Sequence, residues 1–235
     1  MVRSVMTLDE FRTRFAEIRD RGFVPTTRRG PTGIGHTLET LLGLEEDNIP
    51  MPDLGEVELK AHRAGSASLV TLFTYDRKCW KVQQLPAIRK YGTPDKDPAK
   101  AGRLGMYFTL SRKPNGSGLF TDIGTDEISV SHVTDGVLAT WNLETLAKQF
   151  EKKFPAMMFV TALNEFRNGT EWFHYTRAQL LRGISPDILK TQIAEENVLV
   201  DLRMHDKGKC ARNHGTGFRT EEDKLPLLFS EKIEI

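Results

Sequence analysis

The chain has 235 residues, enough for one large domain or two small lobes, and is 39% hydrophobic and 28% charged. That balance excludes wholesale disorder, and no apolar run approaches the ~20 residues of a membrane span. A net charge of +1 neither requires nor excludes a polyanionic partner.

Met1-Val2-Arg3-Ser4 runs straight into a polar amphipathic pattern, so no secretory signal is expected. Thr7-Leu8-Asp9-Glu10 reads as a capping box opening a helix. Leu8, Phe11, Phe15 and Ile18 then share one face, and Gly22 stops the helix. Residues 26–35 are too rich in Gly and Pro for an element and are expected to form a loop. A second helix is predicted over 36–42, with Leu38, Leu41 and Leu42 inward. Strands near 56–63 and 68–74 follow, suggesting a sheet with one well-buried face.

In the middle, 83–90 reads as a short helix and 91–95 as a turn. Strands are predicted at 106–110, 127–133 and 137–141, a helix at 143–153, and strands at 157–163 and 172–175. Ser185-Pro186-Asp187 caps a helix reaching about residue 195, and 198–204 returns as a strand. A loop rich in Gly, Lys and His comes next, then a short helix over 221–229. The mixture indicates an α/β or α+β class with no clear linker between lobes. Cys79 and Cys210 lie far apart without metal-ligand spacing, as suits incidental thiols in a reducing cytoplasm.

Charge is uneven. Arg3, Arg12, Arg14, Arg19, Arg21, Arg28 and Arg29 crowd the first thirty residues. Arg203, Lys207, Lys209, Arg212 and Arg219 form a second cluster, with His205 and His214 among them. Local basic patches on a near-neutral protein suit DNA, although most such arginines serve simply as solvated charge.

The chemistry concentrates in Pro52-Asp53-Leu54-Gly55-Glu56-Val57-Glu58-Leu59-Lys60. On a strand, Glu58 and Lys60 leave the same face while Leu59 points into a core. Asp53 lies across a Leu54-Gly55 turn signal that can fold it back beside them. Two carboxylates can hold a hard divalent cation, and an adjacent ammonium can position an attacking water. The same residues also suit an ordinary solvated strand face with a cross-strand ion pair.

The nonapeptide resembles the PD-(D/E)xK nuclease motif. Read together with Arg28-Arg29-Gly30-Pro31-Thr32-Gly33-Ile34-Gly35-His36-Thr37-Leu38-Glu39, Glu45-Glu46-Asp47-Asn48 and residues 68–74, it resembles the MvaI/BcnI family of type II restriction endonucleases, closer to the MvaI branch. Val200-Asp201-Leu202-Arg203 and His214-Gly215-Thr216-Gly217-Phe218-Arg219 are similar to that family's C-terminal DNA-reading segment.

The resemblance implies a PD-(D/E)xK core: a mixed central sheet flanked by helices, with two lobes forming a DNA-binding cleft. A catalytic lobe is expected mainly in the N-terminal half, about 1–110 plus part of the middle, and a recognition lobe mainly in the C-terminal half, including 198–220. By position, Asp53 and Glu58 would bind one or two Mg²⁺ ions, for which Mn²⁺ or Ca²⁺ could substitute structurally. Lys60 would be the catalytic lysine, with Glu39 near the metal site acting through a water. His214 and Arg219 would reach base edges, Arg as a bidentate donor to guanine, with Arg203 beside them. Arg28, Arg29 and Thr32 would contact phosphate or groove. The implied enzyme is a monomer that cuts double-stranded DNA at a CCNGG-like site with A or T at the centre, one strand per binding event. A DNA methyltransferase protecting the same site and a prokaryotic cytoplasm complete the expectation. Two alternatives stay open: a MutH-like strand-nicking repair endonuclease, and a catalytically silent DNA-binding module.

Overall fold

The structure, a computed structural model, describes residues 6–44, 48–51, 55–66, 68–95 and 102–235, with backbone alone at 48–51, 55 and 56. In chain order the first elements are α1 (Leu8–Asp20), β1 (Val24–Pro25), α2 (Gly33–Leu42), β2 (Asn48–Met51), β3 (Gly55–Arg63) and β4 (Leu69–Thr74). Then come α3 (Gln84–Tyr91), β5 (Thr93–Pro94), β6 (Leu104–Leu110), β7 (Leu119–Ile123), β8 (Glu127–His132), β9 (Gly136–Asn142) and α4 (Leu143–Lys153). The rest is β10 (Ala156–Arg167), β11 (Thr170–Arg182), α5 (Pro186–Ala194), β12 (Val198–Asp206), β13 (Ala211–Asn213), β14 (Gly217–Glu221), a 3-10 helix (Glu222–Leu228) and β15 (Glu231–Glu234). None of the described helices is long and apolar enough to cross a membrane.

The chain forms two units by internal contact: 1–68 with 151–184 and 222–235, and 69–150 with 185–221. They are interleaved rather than successive halves, so residues 69–110, expected with the N-terminal lobe, group with 198–220.

In the first unit the sheet order is β1-β11-β10-β3-β2, with β15 also pairing β11. β3 and β10 run parallel and the other pairs antiparallel. α1 begins as the capping box predicts: Glu10 N–H donates to Thr7 Oγ1 at 3.1 Å and Thr7 N–H returns to Glu10 Oε2 at 2.7 Å. Its buried Phe11, Phe15 and Ile18 meet Leu38 and Leu42 of α2 and Val57, Leu59, Met158 and Val160 of the sheet in one core. Each fully buried side chain of this kind contributes about 1.5–3 kcal/mol.

The second unit has two sheets, ordered β4-β14-β12-β6-β5, with β13 also on β12, and β7-β8-β9. Phe218 stacks on Phe73 at 4.9 Å and meets Trp141 edge-on at 5.8 Å, and all three are buried. On β12, Val200, Leu202 and Met204 turn to this core, while Asp201, Arg203 and His205 lie on the other face.

Several expectations need correction. β3 and β4 do not share a sheet, because each pairs with a strand from far along the chain. α2 starts at Gly33, inside the expected loop. The basic loop contains β13 and β14, which places Arg219 on a strand. β10 and β11 run well beyond 157–163 and 172–175: the far end of β10, with Asn164, Glu165 and Arg167, is largely exposed and polar, whereas β11 continues through the buried Ala178, Leu180 and Leu181, a run the expectation missed. β2, β7 and β15 were not expected.

Candidate active site

β3 carries the central pair. β2 covers only Gly55–Glu58 of it, and past that point the edge of β3 is open among the described residues. Val57 and Leu59 are buried in the core, which turns the alternate residues Glu58, Lys60 and His62 to the opposite face. Glu58 and Lys60 are partly buried. His62, set aside on sequence grounds, stacks on Phe159 at 4.6 Å, and its Nε2 lies 3.0 Å from Thr161 Oγ1. Burial, ahead of the opposing pull of Asp223, lowers its basicity. Asp53 lies outside the described residues.

α2 brings Glu39 to the same place. Gly33 is required where the helix begins, since a Cβ there would lie 2.3 Å from the Arg28 carbonyl oxygen. That carbonyl accepts from Thr26 Oγ1 at 2.6 Å, and the buried Tyr175 hydroxyl donates to the Ile34 carbonyl at 2.7 Å. Thr27 Oγ1 and His36 Nδ1 are 2.7 Å apart. With the helix start held this way, Glu39 and His36 line a cavity of about 370 Å³ together with Glu58, Lys60, Arg63 and Glu222.

Glu222 and Lys153 were missed by sequence reading. Glu222 enters from the 3-10 helix, where its N–H donates to the Ser68 carbonyl at 3.1 Å. Burial pushes its carboxyl up, against the opposing pull of Lys60 and Arg63. Lys153, at the end of α4, holds its ammonium 4.8 Å over the Phe154 ring. Burial lowers its basicity, Glu58 raises it and Lys60 lowers it again, which places its charge within reach of both. Neither residue carries a local signal: Glu222 reaches the cavity, and Lys153 feels Glu58 and Lys60, only through the tertiary fold.

The carboxylates of Glu39, Glu58 and Glu222 provide oxygen donors of the kind a hard divalent cation takes, and no thiolate is among them. Among the described residues no three metal-type ligands converge on one point.

Beside this cavity, Arg63 donates to both carboxylate oxygens of Glu171 and reaches the Pro31 carbonyl at 3.2 Å. A second cavity of about 850 Å³ shares Arg28, Pro31 and Arg63 with the first and is also lined by Arg29, Asn164 and Phe166. Arg28, Arg29 and Thr32 are exposed.

The base-reading candidates lie in the second unit. Arg219 Nη2 donates to the Leu69 carbonyl at 2.9 Å, and its Nη1 lies 3.5 Å from the buried Asp201 carboxylate. Arg203 Nη2 donates to Thr74 Oγ1 at 2.9 Å and its Nε to the Gly215 carbonyl at 3.2 Å. Asp201 also accepts from Thr109 Oγ1 at 2.9 Å. His214 is exposed, 5.6 Å from the His205 ring.

The sequence profile of the MvaI/BcnI restriction endonuclease family matches residues 12–229. No curated protein sequence matches the chain. The solved structure of restriction endonuclease MvaI in complex with its cognate DNA substrate is 26% identical, with a TM-score of 0.66 over 97% of either chain. MvaI in the absence of DNA is 26% identical, with a TM-score of 0.62 over 100% of both chains. A family match over nearly the whole length, together with a shared fold, places this chain in the MvaI/BcnI restriction endonuclease family, as a type II site-specific deoxyribonuclease.

Proposed function

We propose that the enzyme hydrolyses double-stranded DNA at a CCNGG-like sequence with A or T at the centre, using Mg²⁺, as a monomer that cuts the strands in successive binding events. The observation that carries this reading is Glu58 and Lys60 leaving one face of β3 into a cavity shared with Glu39 and Glu222. Double-stranded DNA as the partner follows the MvaI complex with its cognate DNA. Members of this family work with divalent metal ions, and the oxygen donors here suit Mg²⁺. Bound by Asp53 and Glu58, one or two such ions would supply Lewis acidity at the scissile phosphate.

The remaining work falls to the chain. Lys60 donates to the attacking water and offsets the phosphate charge as it builds. Glu39 steadies that water through a second one. The water gives up a proton to solvent as its oxygen bonds to phosphorus and the bond to the 3′ oxygen breaks, and that oxygen takes up a proton from solvent as it leaves. Arg28, Arg29 and Thr32, exposed before α2, contact phosphate or groove. In the second unit His214, Arg203 and Arg219 read base edges. A methyltransferase of the same specificity protects the host DNA, and the prokaryotic cytoplasm is where both would act.

The test is incubation of the purified protein with unmethylated plasmid, with and without Mg²⁺, followed by sequencing of the ends. Discrete fragments that vanish in Asp53→Ala, Glu58→Ala and Lys60→Ala support the reading. Relaxed circles alone would indicate a nickase, and site-specific binding without cleavage a silent module. Intact plasmid without site-specific binding sinks all three.

A further inference from the structure

The carboxylate of Asp76, in the second unit, collects four donors. Its Oδ1 accepts from the Thr216 hydroxyl at 2.8 Å, the Trp80 indole N–H at 3.0 Å and the Cys79 thiol at 3.3 Å. Its Oδ2 accepts from the Asn213 amide. Burial, and after it the Asp76 charge, push the Cys79 thiol up to about 12, so the sulfur stays protonated and donating. An ionised carboxylate suits this position because it only accepts; an amide would turn its own N–H groups against the donors.

Asn213 and Thr216 bracket His214. Asn213 Oδ1 accepts from Gly215 N–H at 2.7 Å, and Tyr75 N–H donates to the Thr216 carbonyl at 3.0 Å. Gly215 has φ +86°, and a Cβ there would lie 2.2 Å from Thr74 Cγ2. His214 N–H donates to the Arg203 carbonyl at 2.9 Å, which ties the turn to β12. On its other side the Asp76 segment is joined to β9: Thr140 N–H donates to the Cys79 carbonyl at 2.9 Å and Lys81 N–H to the Leu138 carbonyl at 2.8 Å. The backbone on both sides of His214 is thus held to one carboxylate while the imidazole stays exposed. A free turn would have to be ordered when DNA binds, at a cost in affinity and in discrimination; this one is ordered beforehand.

We propose that Asp76 is a positioning residue for DNA recognition: its carboxylate clamps the 213–216 turn and fixes where His214 meets the base edges. This rests on the reading of His214 as a DNA contact. The test uses the full-length enzyme in Mg²⁺ and compares cleavage of a duplex carrying the mapped cut site with duplexes changed at one base pair. Asp76→Asn should reduce that discrimination about tenfold or more, roughly what 1.4 kcal/mol of lost differential binding produces. The rate on the mapped site at saturating DNA should stay close to wild type. Thr216→Val removes one donor at constant shape and should give a smaller loss of discrimination in a protein that still unfolds cooperatively. In a His214→Ala background both substitutions should add little, since the clamp acts through that side chain.

Undiminished discrimination in folded Asp76→Asn and Thr216→Val, or losses that add fully to that of His214→Ala, would overturn the positioning role alone. Full discrimination in His214→Ala would overturn it together with the reading it rests on. If Asp76→Asn does not fold, Thr216→Val and its double variant with His214→Ala decide the matter.

Discussion

The Arg63 guanidinium donates from Nε and Nη2 to the two carboxylate oxygens of Glu171, at 2.7 and 2.9 Å. Arg63 ends β3, Glu171 is the second residue of β11, and Asn164 adds a third donor to the same carboxylate at 2.9 Å. The hydrogen bonds from Arg63, ahead of burial and charge, hold the Glu171 carboxyl below its usual range. The pair is mostly buried, with side-chain exposures of 24% and 10%, so solvent screens it less than a surface pair.

Glu171→Gln should therefore cost about 2 kcal/mol at neutral pH, the scale of a hydrogen bond to a charged group. A depressed folded value means the stabilisation is present above the unfolded carboxyl value of about 4.3 and is lost as pH falls through the lower folded value. The gap between wild type and variant should close as pH drops below about 4. Denaturant melts across that range check it; a gap that persists in acid would show that packing, not charge, holds the pair.

Glu222 has the opposite sign. Burial raises its carboxyl, so the folded protein binds that proton more tightly than the unfolded chain does. Its contribution is complete below the unfolded value and is lost as pH rises through the raised folded value. Glu222→Gln should flatten the fall in stability as pH rises above the unfolded carboxyl value of about 4.3, measured in EDTA so that no metal contributes. An unchanged slope would mean that Lys60 and Arg63 already offset the burial cost.

The two glutamates also show where sequence reading reaches its limit. Glu58 and Lys60 were legible because the two-residue period of a strand ties spacing to face. α1 was legible because Thr7 and Glu10 form a local cap and Phe11, Phe15 and Ile18 share one face. Glu39 was found by resemblance, since the start of α2 depends on Gly33 fitting beside the Arg28 carbonyl, a contact that composition does not reveal. Glu222, Lys153 and the Arg63–Glu171 pair join segments far apart in the chain, and no local period marks them. The separation of β3 from β4 has the same origin: partners chosen at long range decide which sheet each strand enters.

Gly33 gives a direct test of how the helix start supports the site. Gly33→Ala would set a Cβ 2.3 Å from a backbone oxygen and 2.8 Å from Thr26 Oγ1, so the start of α2 must move. A cost of about 1–3 kcal/mol is expected, as for other overpacked positions, with cleavage falling further because Glu39 and His36 ride on this helix. Gly35→Ala is the control: its nearest contact is Glu39 Oε1 at 3.4 Å, the end of a flexible side chain. Melting temperatures and cleavage rates should separate the two variants, and equal effects would count against a special role for the helix start.

Within the cavity, the proposed roles predict graded losses. Lys60→Ala and Glu58→Gln should each slow single-turnover cleavage by about 100- to 10,000-fold, the range typical for groups acting directly on proton movement and charge. Lys60→Ala removes a donor that acts as the phosphate charge builds, so the loss should fall on the cleavage rate at saturating DNA and leave the affinity of the mapped site little changed. Glu58→Gln keeps shape and removes a negative donor, so its defect should shrink as Mg²⁺ or Mn²⁺ is raised, whereas that of Lys60→Ala should not. Glu39→Gln, acting through an intervening water, should cost less than either. Should Lys60→Ala instead lose affinity while its saturated rate stays intact, the lysine would be a DNA contact rather than part of the cutting chemistry.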